Sequence, residues 1–478
     1  MLKIYPFPAG EECSLDFIMT ADGQNIPLHI ARVSAYPINR RWPGHQRPRN
    51  QTELASFASF GTSGEVKITL EASCDFQKVV IRPLSKKIES ETHDREITFT
   101  LPGAGKYTVE LDGSHKALHI FADEIKDFGV NKDDPEVLYF GPGIHEPGLI
   151  TLSSNQTLFI DEGAIVYARI MARDADNIRI LGHGILDGSR NVETYLHDFG
   201  PEDQKRMDDG MAVLNAKRTH TVDLQFCDNL RIDGITIRDS LCYTIRPVCC
   251  RNVEIHNVKI IGNWRYNSDG IDMHNCQHVR IDSCFVRTFD DCLCIKGFDY
   301  CLDPADMHHN GEDFVVFKDV IIEKCVLWCD WNTTLEFGAE TRAEEICDIT
   351  FRDCDIIHNH NAACDITSVD YADIHDVLYE DIRIEETPTQ RSILQKEENQ
   401  PFADEAEPPV TGCAIRCSSF HHYEYSGDDP RFSIIRDVTF RNISVVGRGM
   451  MYCQFSGANA ENISGPIRLE NLTLNGKR

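Results

Sequence analysis

Asn252-Val253-Glu254-Ile255-His256-Asn257-Val258 is followed, 26 residues on, by His278-Val279-Arg280-Ile281-Asp282-Ser283-Cys284. Apolar and polar residues alternate in both, the two-residue period of a strand with one buried face. The phrase recurs upstream as Asn177-Ile178-Arg179-Ile180 and Asn229-Leu230-Arg231-Ile232-Asp233-Gly234-Ile235. Downstream it recurs as Asp319-Val320-Ile321-Ile322-Glu323-Lys324-Cys325 and Asp348-Ile349-Thr350-Phe351-Arg352-Asp353-Cys354. Further copies begin at Asp376 and Asp437, and Pro466 to Leu472 closes the series. Start-to-start spacings from Asn229 to Asp376 are 23, 26, 41, 29 and 28 residues. Strands repeating at that interval, with an occasional longer loop, describe the coils of a parallel β-helix. No 3.6-residue period runs through the repeat, which excludes a helical solenoid. Val258, Cys284, Cys325, Cys354 and Ile382 hold one position in successive coils, so they should stack inside, each thiol acting as a small hydrophobe.

Residues 1–125 read differently. Short alternating runs such as Val66 to Leu70 and Lys106 to Leu111, separated by Gly, Asp and Pro turns, suit a β-sandwich. The expected architecture is all-β, with an N-terminal sandwich over 1–125 and a β-helix over 126–478. The basic, aromatic stretch Arg40 to Arg49 reads as a packing loop or as a contribution to a substrate cleft.

Composition narrows the function. With 48 basic and 76 acidic residues the net charge is −28, which argues against nucleic acid and anionic membranes as partners. No apolar run is long enough to span a bilayer. The start, Met1 to Pro6, lacks the pattern of a secretory signal. The 19 cysteines fall into no disulfide or zinc spacing. A cytoplasmic location, or secretion after loss of a leader, is the expectation, with no metal and no cofactor. Self-association into a homo-oligomer stays open.

A second strand of each coil can be aligned with the same spacings. Gly270-Ile271-Asp272-Met273-His274 matches Cys292-Leu293-Cys294-Ile295-Lys296, then Thr334-Leu335-Glu336-Phe337-Gly338, then Ala363-Cys364-Asp365-Ile366-Thr367. Ile271/Met273, Leu293/Ile295, Leu335/Phe337 and Cys364/Ile366 should point inward. Asp272, Cys294, Glu336 and Asp365 then form one outward column, beside a column that holds His274 and Lys296. Asp269 aligns with Asp291, next to Asp290, so these carboxylates should fall within one or two coil spacings of about 4.8 Å. Like charges so close raise at least one pKa, leaving a protonated acid beside an ionised base. Asx ladders or bound cations are the structural alternative. Carboxyl separation would distinguish inversion from a covalent intermediate.

These residues carry a family resemblance. Gly182-His183-Gly184-Ile185-Leu186-Asp187-Gly188 resembles a turn of glycoside hydrolase family 28, the polygalacturonases and their relatives. So does the stretch from Tyr243-Thr244-Ile245-Arg246-Pro247 through Asn267-Ser268-Asp269-Gly270-Ile271-Asp272 to Asp290-Asp291-Cys292. Leu149 to Leu158 resembles the first coil, and the likeness is good over about residues 135–300. The resemblance implies a right-handed parallel β-helix and hydrolysis of glycosidic bonds with inversion. It implies Asp290 as general acid and Asp269 and Asp291 as the carboxylates that position and activate water. It implies no cofactor.

The departures bear on substrate. The family's G-H-G is replaced by Asn332-Thr333-Thr334, and its R-I-K has no match; the aligned coil reads Asn361-Ala362-Ala363-Cys364-Asp365. Glu336 and Asp365 place negative charge where a galacturonate binder should be positive, which favours a neutral sugar. An N-terminal sandwich before the helix also resembles the dextranase and isopullulanase group, family 49. Lys296, Arg265, Arg287 and Arg342 are the candidates for a uronate pocket. Trp264, Trp328 and Trp331 are expected to flank the cleft and stack on sugars, and Asp272, His274, Glu336, Asp365 and Lys296 to contact substrate. The acidic segment from Glu385 to Pro409 reads as a surface loop, and His421, His422 and Tyr423 are weak candidates. The leading expectation is a glycoside hydrolase on α-linked oligo- or polysaccharide. The alternatives are a polysaccharide lyase and a non-catalytic carbohydrate-binding solenoid.

Overall fold

The computed structural model describes residues 1–34, 52–191, 219–265, 267–298, 304–386, 412–421, 430–447, 451–457 and 465–478. The stretch Arg40 to Arg49, most of the 385–409 segment, His422 and Tyr423 lie outside the described residues. The N-terminal unit is a sandwich of a 6-stranded and a 5-stranded sheet. Phe17, Met19, Ile68 and Leu70 from one sheet meet Ala58, Phe60, Val109 and Ile120 from the other in one apolar core. Its last strand is Leu118–Glu124, and the first solenoid strand is Val137–Phe140.

From there the chain winds as a parallel solenoid, with one 12-stranded and one 19-stranded sheet. The repeated phrase forms the 12-stranded sheet in the register read from sequence. Val253 pairs with Val279, Val279 with Val320, Val320 with Ile349, and Ile349 with Val377. The first residue of each phrase explains the Asx preference. Asn177, Asn229, Asn252, His278, Asp319, Asp348, Asp376 and Asp437 all adopt left-handed φ between 51° and 58°. That backbone is costly for most L-residues, and Asn and Asp tolerate it through local hydrogen bonds. The short amides also chain from coil to coil, Asn177 Nδ2 donating to Asn155 at 2.9 Å and Asn229 Nδ2 to Asn177 at 3.2 Å.

Inside, Val258, Cys284, Cys325, Cys354 and Ile382 stack as expected, each fully buried in the main core. Each Ile, Leu or Val so buried contributes about 1.5–3 kcal/mol. The sandwich rests on the solenoid through Phe57 and Phe121, which pack against Phe285, Val326, Trp328 and Ile357. Buried charges accompany them. Asp123 accepts from Lys259 Nζ at 3.2 Å and Asn257 Nδ2 at 3.0 Å. Arg82 Nε donates to Glu110 at 2.9 Å, and Glu110 also pairs with His358.

This interface corrects part of the sequence reading. Trp328 is fully buried there, between Arg287, 3.8 Å above its ring, and His358, 3.9 Å away. It lines no cleft. Arg287 Nη1 donates to His119 Nε2 at 3.0 Å, so this guanidinium belongs to the interface and not to a uronate pocket. Bulky aromatic and guanidinium groups alternate along outward positions in both places, and only the docked sandwich distinguishes them.

Candidate active site

The second strand of each coil places the cluster. Asp272 pairs with Cys294, Cys294 with Glu336, Glu336 with Asp365, and Asp365 with Arg416. Their neighbours Ile271, Met273, Leu293, Ile295, Leu335, Phe337, Cys364 and Ile366 are all in the solenoid core, as the alternation requires. The tight stacking explains Gly270, where a Cβ would lie 2.2 Å from the Cys292 carbonyl oxygen of the next coil. Gly270 N–H donates to the Asp291 carbonyl at 2.8 Å, which sets Asp269 beside Asp291 on adjacent coils.

Asp269, Asp290 and Asp291 are 1%, 5% and 5% exposed. Burial, then the charges of Asp272 and Asp290, hold Asp269 well above the ordinary carboxylate range. Burial also raises Asp290. Burial, then Glu336 and Asp290, push Asp291 well up. Burial likewise pushes Glu336 well up. The carboxyl oxygens of Asp291 and Glu336 and the Cys294 sulfur lie within 4.8 Å of one another. Two local donors fix the acids: Asn332 Nδ2 donates to Asp290 Oδ1 at 3.1 Å, and the Thr333 N–H to Asp291 Oδ1 at 3.0 Å.

Lys296 is the cation of the cluster. Its Nζ lies 2.9 Å from Asp272, 3.6 Å from Asp269 and 3.6 Å from Glu340. Burial works to lower its pKa, but Asp272 and Glu340 outweigh that and hold it well above the ordinary lysine value. Lys296 also lies 4.4 Å over the Tyr243 ring.

The substrate candidates divide. Trp331 is half-buried, stacked 5.8 Å from Phe289 and 5.9 Å from His360, next to the Asp290 strand end. Glu336 and Lys296 lie in the cluster. Asp272 and His274 occupy the outward columns but are fully buried, and His274 Nδ1 meets the Gly297 carbonyl at 3.2 Å. Trp264 donates Nε1 to Asp239 at 3.1 Å under the Arg265 guanidinium, which itself pairs with Asp239. Arg342 reaches Asp370 at 3.4 Å. Trp264, Arg265 and Arg342 are therefore each engaged by a neighbouring carboxylate.

Asp365 changes meaning most. It accepts Arg416 Nε at 2.9 Å together with Arg416 Nη2, and Thr367 Oγ1 at 2.9 Å. Its negative charge is answered in place, so it adds little negative field to the cleft. Arg416 is the residue that sequence reasoning missed. It lies 51 residues after Asp365, beyond the coil spacings that guided the alignment. Its signal was the alternation in Cys413-Ala414-Ile415-Arg416-Cys417, which continues the inward pattern.

A different donor set lies on the 12-stranded sheet, where Glu345, Cys347 and His375 bring ligand atoms within 4.8 Å. There His375 already meets Asp376 through Nδ1 at 2.7 Å and Glu345 through Nε2 at 3.4 Å.

The solenoid thus gathers buried carboxyls across adjacent coils, a grouping suited to acid–base chemistry. Residues 138–403, more than half of the chain, match the model of glycosyl hydrolases family 28, and the chain belongs to that family. A probable polygalacturonase of Vitis vinifera is 31% identical over 85 residues, 18% of this chain and 17% of the relative. A polygalacturonase of Brassica napus is 26% identical over 236 residues, 47% of each. The chain thus spans about half or less of the length of these relatives. Dex49A from Penicillium minioluteum shares the fold with a TM-score of 0.58 at 13% identity, covering 100% of this chain and 91% of that one. That likeness includes the N-terminal sandwich as well as the solenoid.

Proposed function

We propose that this chain hydrolyses α-linked glycosidic bonds with inversion, Asp290 acting as acid and Asp269 and Asp291 as the water-activating carboxylates. The observation that carries this reading is the convergence of these three buried carboxyls on adjacent coils, with Lys296 beside them. Burial raises the pKa of Asp290 and so favours its protonated form, which gives its proton to the leaving glycosidic oxygen as the C–O bond breaks. Water attacks the anomeric carbon from the opposite face and loses its proton to the Asp269/Asp291 pair. Lys296 favours a negative charge on Asp269 at the stage when that pair must be ionised.

A neutral sugar fits better than a uronate. Among the described residues the cations nearest the cluster, Lys296 and Arg416, already hold carboxylates. A uronate would have to displace one of these pairs, leaving a buried acid uncompensated. Trp331, half-buried in a stack between Phe289 and His360, offers an exposed aromatic edge against which a pyranose ring can pack. The described cysteines are all free, which supports a reducing compartment as the working environment. The test is turnover of dextran and other neutral α-glycans against polygalacturonate and rhamnogalacturonan, with product anomers followed by NMR. Strong turnover of polygalacturonate would overturn the sugar preference. An unsaturated, ultraviolet-absorbing product would replace hydrolysis by elimination.

A further inference from the structure

Behind Asp290 runs a chain of hydrogen bonds with one possible direction. Arg416 Nη1 donates to Asn361 Oδ1 at 3.2 Å, Asn361 Nδ2 to Asn332 Oδ1 at 2.8 Å, and Asn332 Nδ2 to Asp290 Oδ1 at 3.1 Å. A guanidinium can only donate. Asn361 must therefore turn its oxygen to Arg416 and its NH₂ to Asn332. Asn332 must then accept through its oxygen and donate to Asp290. Arg416 is held in place from the other side by Asp365, on which its Nε and Nη2 both close. The order of donors is thus set by a charge pair two and three coils away from Asp290.

We propose that Arg416, Asn361 and Asn332 form a one-way relay that reserves Asp290 Oδ1 as an acceptor and so keeps the acid proton on Oδ2. Asn332 is then the positioning residue of the general acid, standing where the family's G-H-G would be. Asp365, Arg416 and Asn361 position it in turn. The proton balance is simple. Protonated Asp290 accepts from Asn332 on Oδ1 and carries O–H on Oδ2, and on transfer to the leaving oxygen the carboxylate keeps the same bond. A freely turning Asn332 would present its oxygen half the time and draw the acid proton away from substrate.

The groups facing Asp290 are Asp269, Asp272, Asp291 and Lys296, with the Asn267 N–H donating to the carboxyl. Cys329 donates to the Asp290 carbonyl at 3.2 Å. Glu336 and Asp365 face Arg416. None of these reaches Asn361 with a competing hydrogen bond among the described residues; the Thr333 hydroxyl also donates to Asn332 Oδ1, at 3.4 Å, a longer contact than the 2.8 Å from Asn361.

The meaning of the acid rests on the hydrolase reading above, and the test separates the two. Asn361→Leu and Arg416→Lys both cut the relay; the lysine keeps the charge on Asp365 but cannot fork to Asn361. The pH at which Asp290 loses its proton is followed in the whole protein by the infrared band of protonated carboxyls, assigned by its loss in Asp290→Asn. The expected result is an upward move of about one pH unit in either variant, the size of one hydrogen bond to a charged group. On a turned-over substrate kcat should fall about tenfold with KM within twofold, and the basic limb of the pH profile should move up with the band. An unmoved Asp290 band in both folded variants overturns the relay, whether or not any glycan is cleaved. Absence of turnover by the wild type, with the band shift present, overturns the hydrolase reading alone.

Discussion

Asp123 at the domain interface and Asp291 in the cluster are almost equally hidden from water, yet their carboxyls are driven in opposite directions. Burial raises both. At Asp123 that penalty is overcome by Lys259, His183 and Lys106, which hold its pKa far below the usual range. Glu110 behaves likewise: burial opposes, but His358 and Arg82 bring it down to about 2. At Asp291 the neighbours are Glu336 and Asp290, and the shift is upward. Burial is common to both regions, and the count of cations decides the sign. The interface uses its charges to hold two units together. The cluster gathers acids whose charged forms burial disfavours, at a cost in stability that function explains.

The largest effect that separates the two is on turnover. Asp290→Asn should lower kcat about a thousandfold or more on any cleaved glycan while leaving the melting temperature unchanged or higher. A variant with full activity would remove Asp290 from the chemistry. Next comes the interface: Asp123→Asn should cost roughly 3–5 kcal/mol by denaturant titration, because Lys259 and Lys106 then lie buried without their partner. A loss below about 1 kcal/mol would make the two regions alike.

The pH dependence sharpens the same contrast. Glu110 is depressed in the folded state, so its contribution is fully present above its unfolded value of 4.5 and is lost as pH falls toward about 2. By linkage that is roughly 3 kcal/mol, and Glu110→Gln should flatten the decline in stability between pH 5 and pH 2 by about that amount. Glu336 is raised, so its folded form is favoured while protonated and stability is lost as pH rises above its unfolded value. Glu336→Gln should therefore raise the melting temperature more at pH 8 than at pH 5. This is the smallest of the four effects, and an equal rise at both pH values would place the glutamate outside the coupled cluster.

Much of the solenoid was legible because its signal is local and periodic. Residues such as Ile271 and Met273 face in, Asp272 and His274 face out, and one register error would expose every apolar side chain. The left-handed corner at each Asx explains why the repeat phrase begins as it does. The cluster of Asp269, Asp290 and Asp291 followed from that register together with the family motifs. Arg416 escaped because the long insertion before Cys413 broke the spacing that located Asp272, Cys294, Glu336 and Asp365. The outward column therefore looked more acidic than it is, with Asp365 counted free when it closes on Arg416.

The sequence by itself determined the β-helix, its inward and outward faces, the stack of buried thiols and the meeting of the three aspartates. All of these depend on a two-residue period and a near-constant coil length, both of which are written in residue order. Only the tertiary structure decided which outward residues meet substrate and which meet the sandwich. Trp328 and Arg287 are spent on the domain interface, Trp264 on Asp239, and Trp331 remains beside the acids. The physical reason is that an outward side chain's environment is supplied by whatever packs against that face. Here the packing partner comes from residues more than a hundred positions away in the chain.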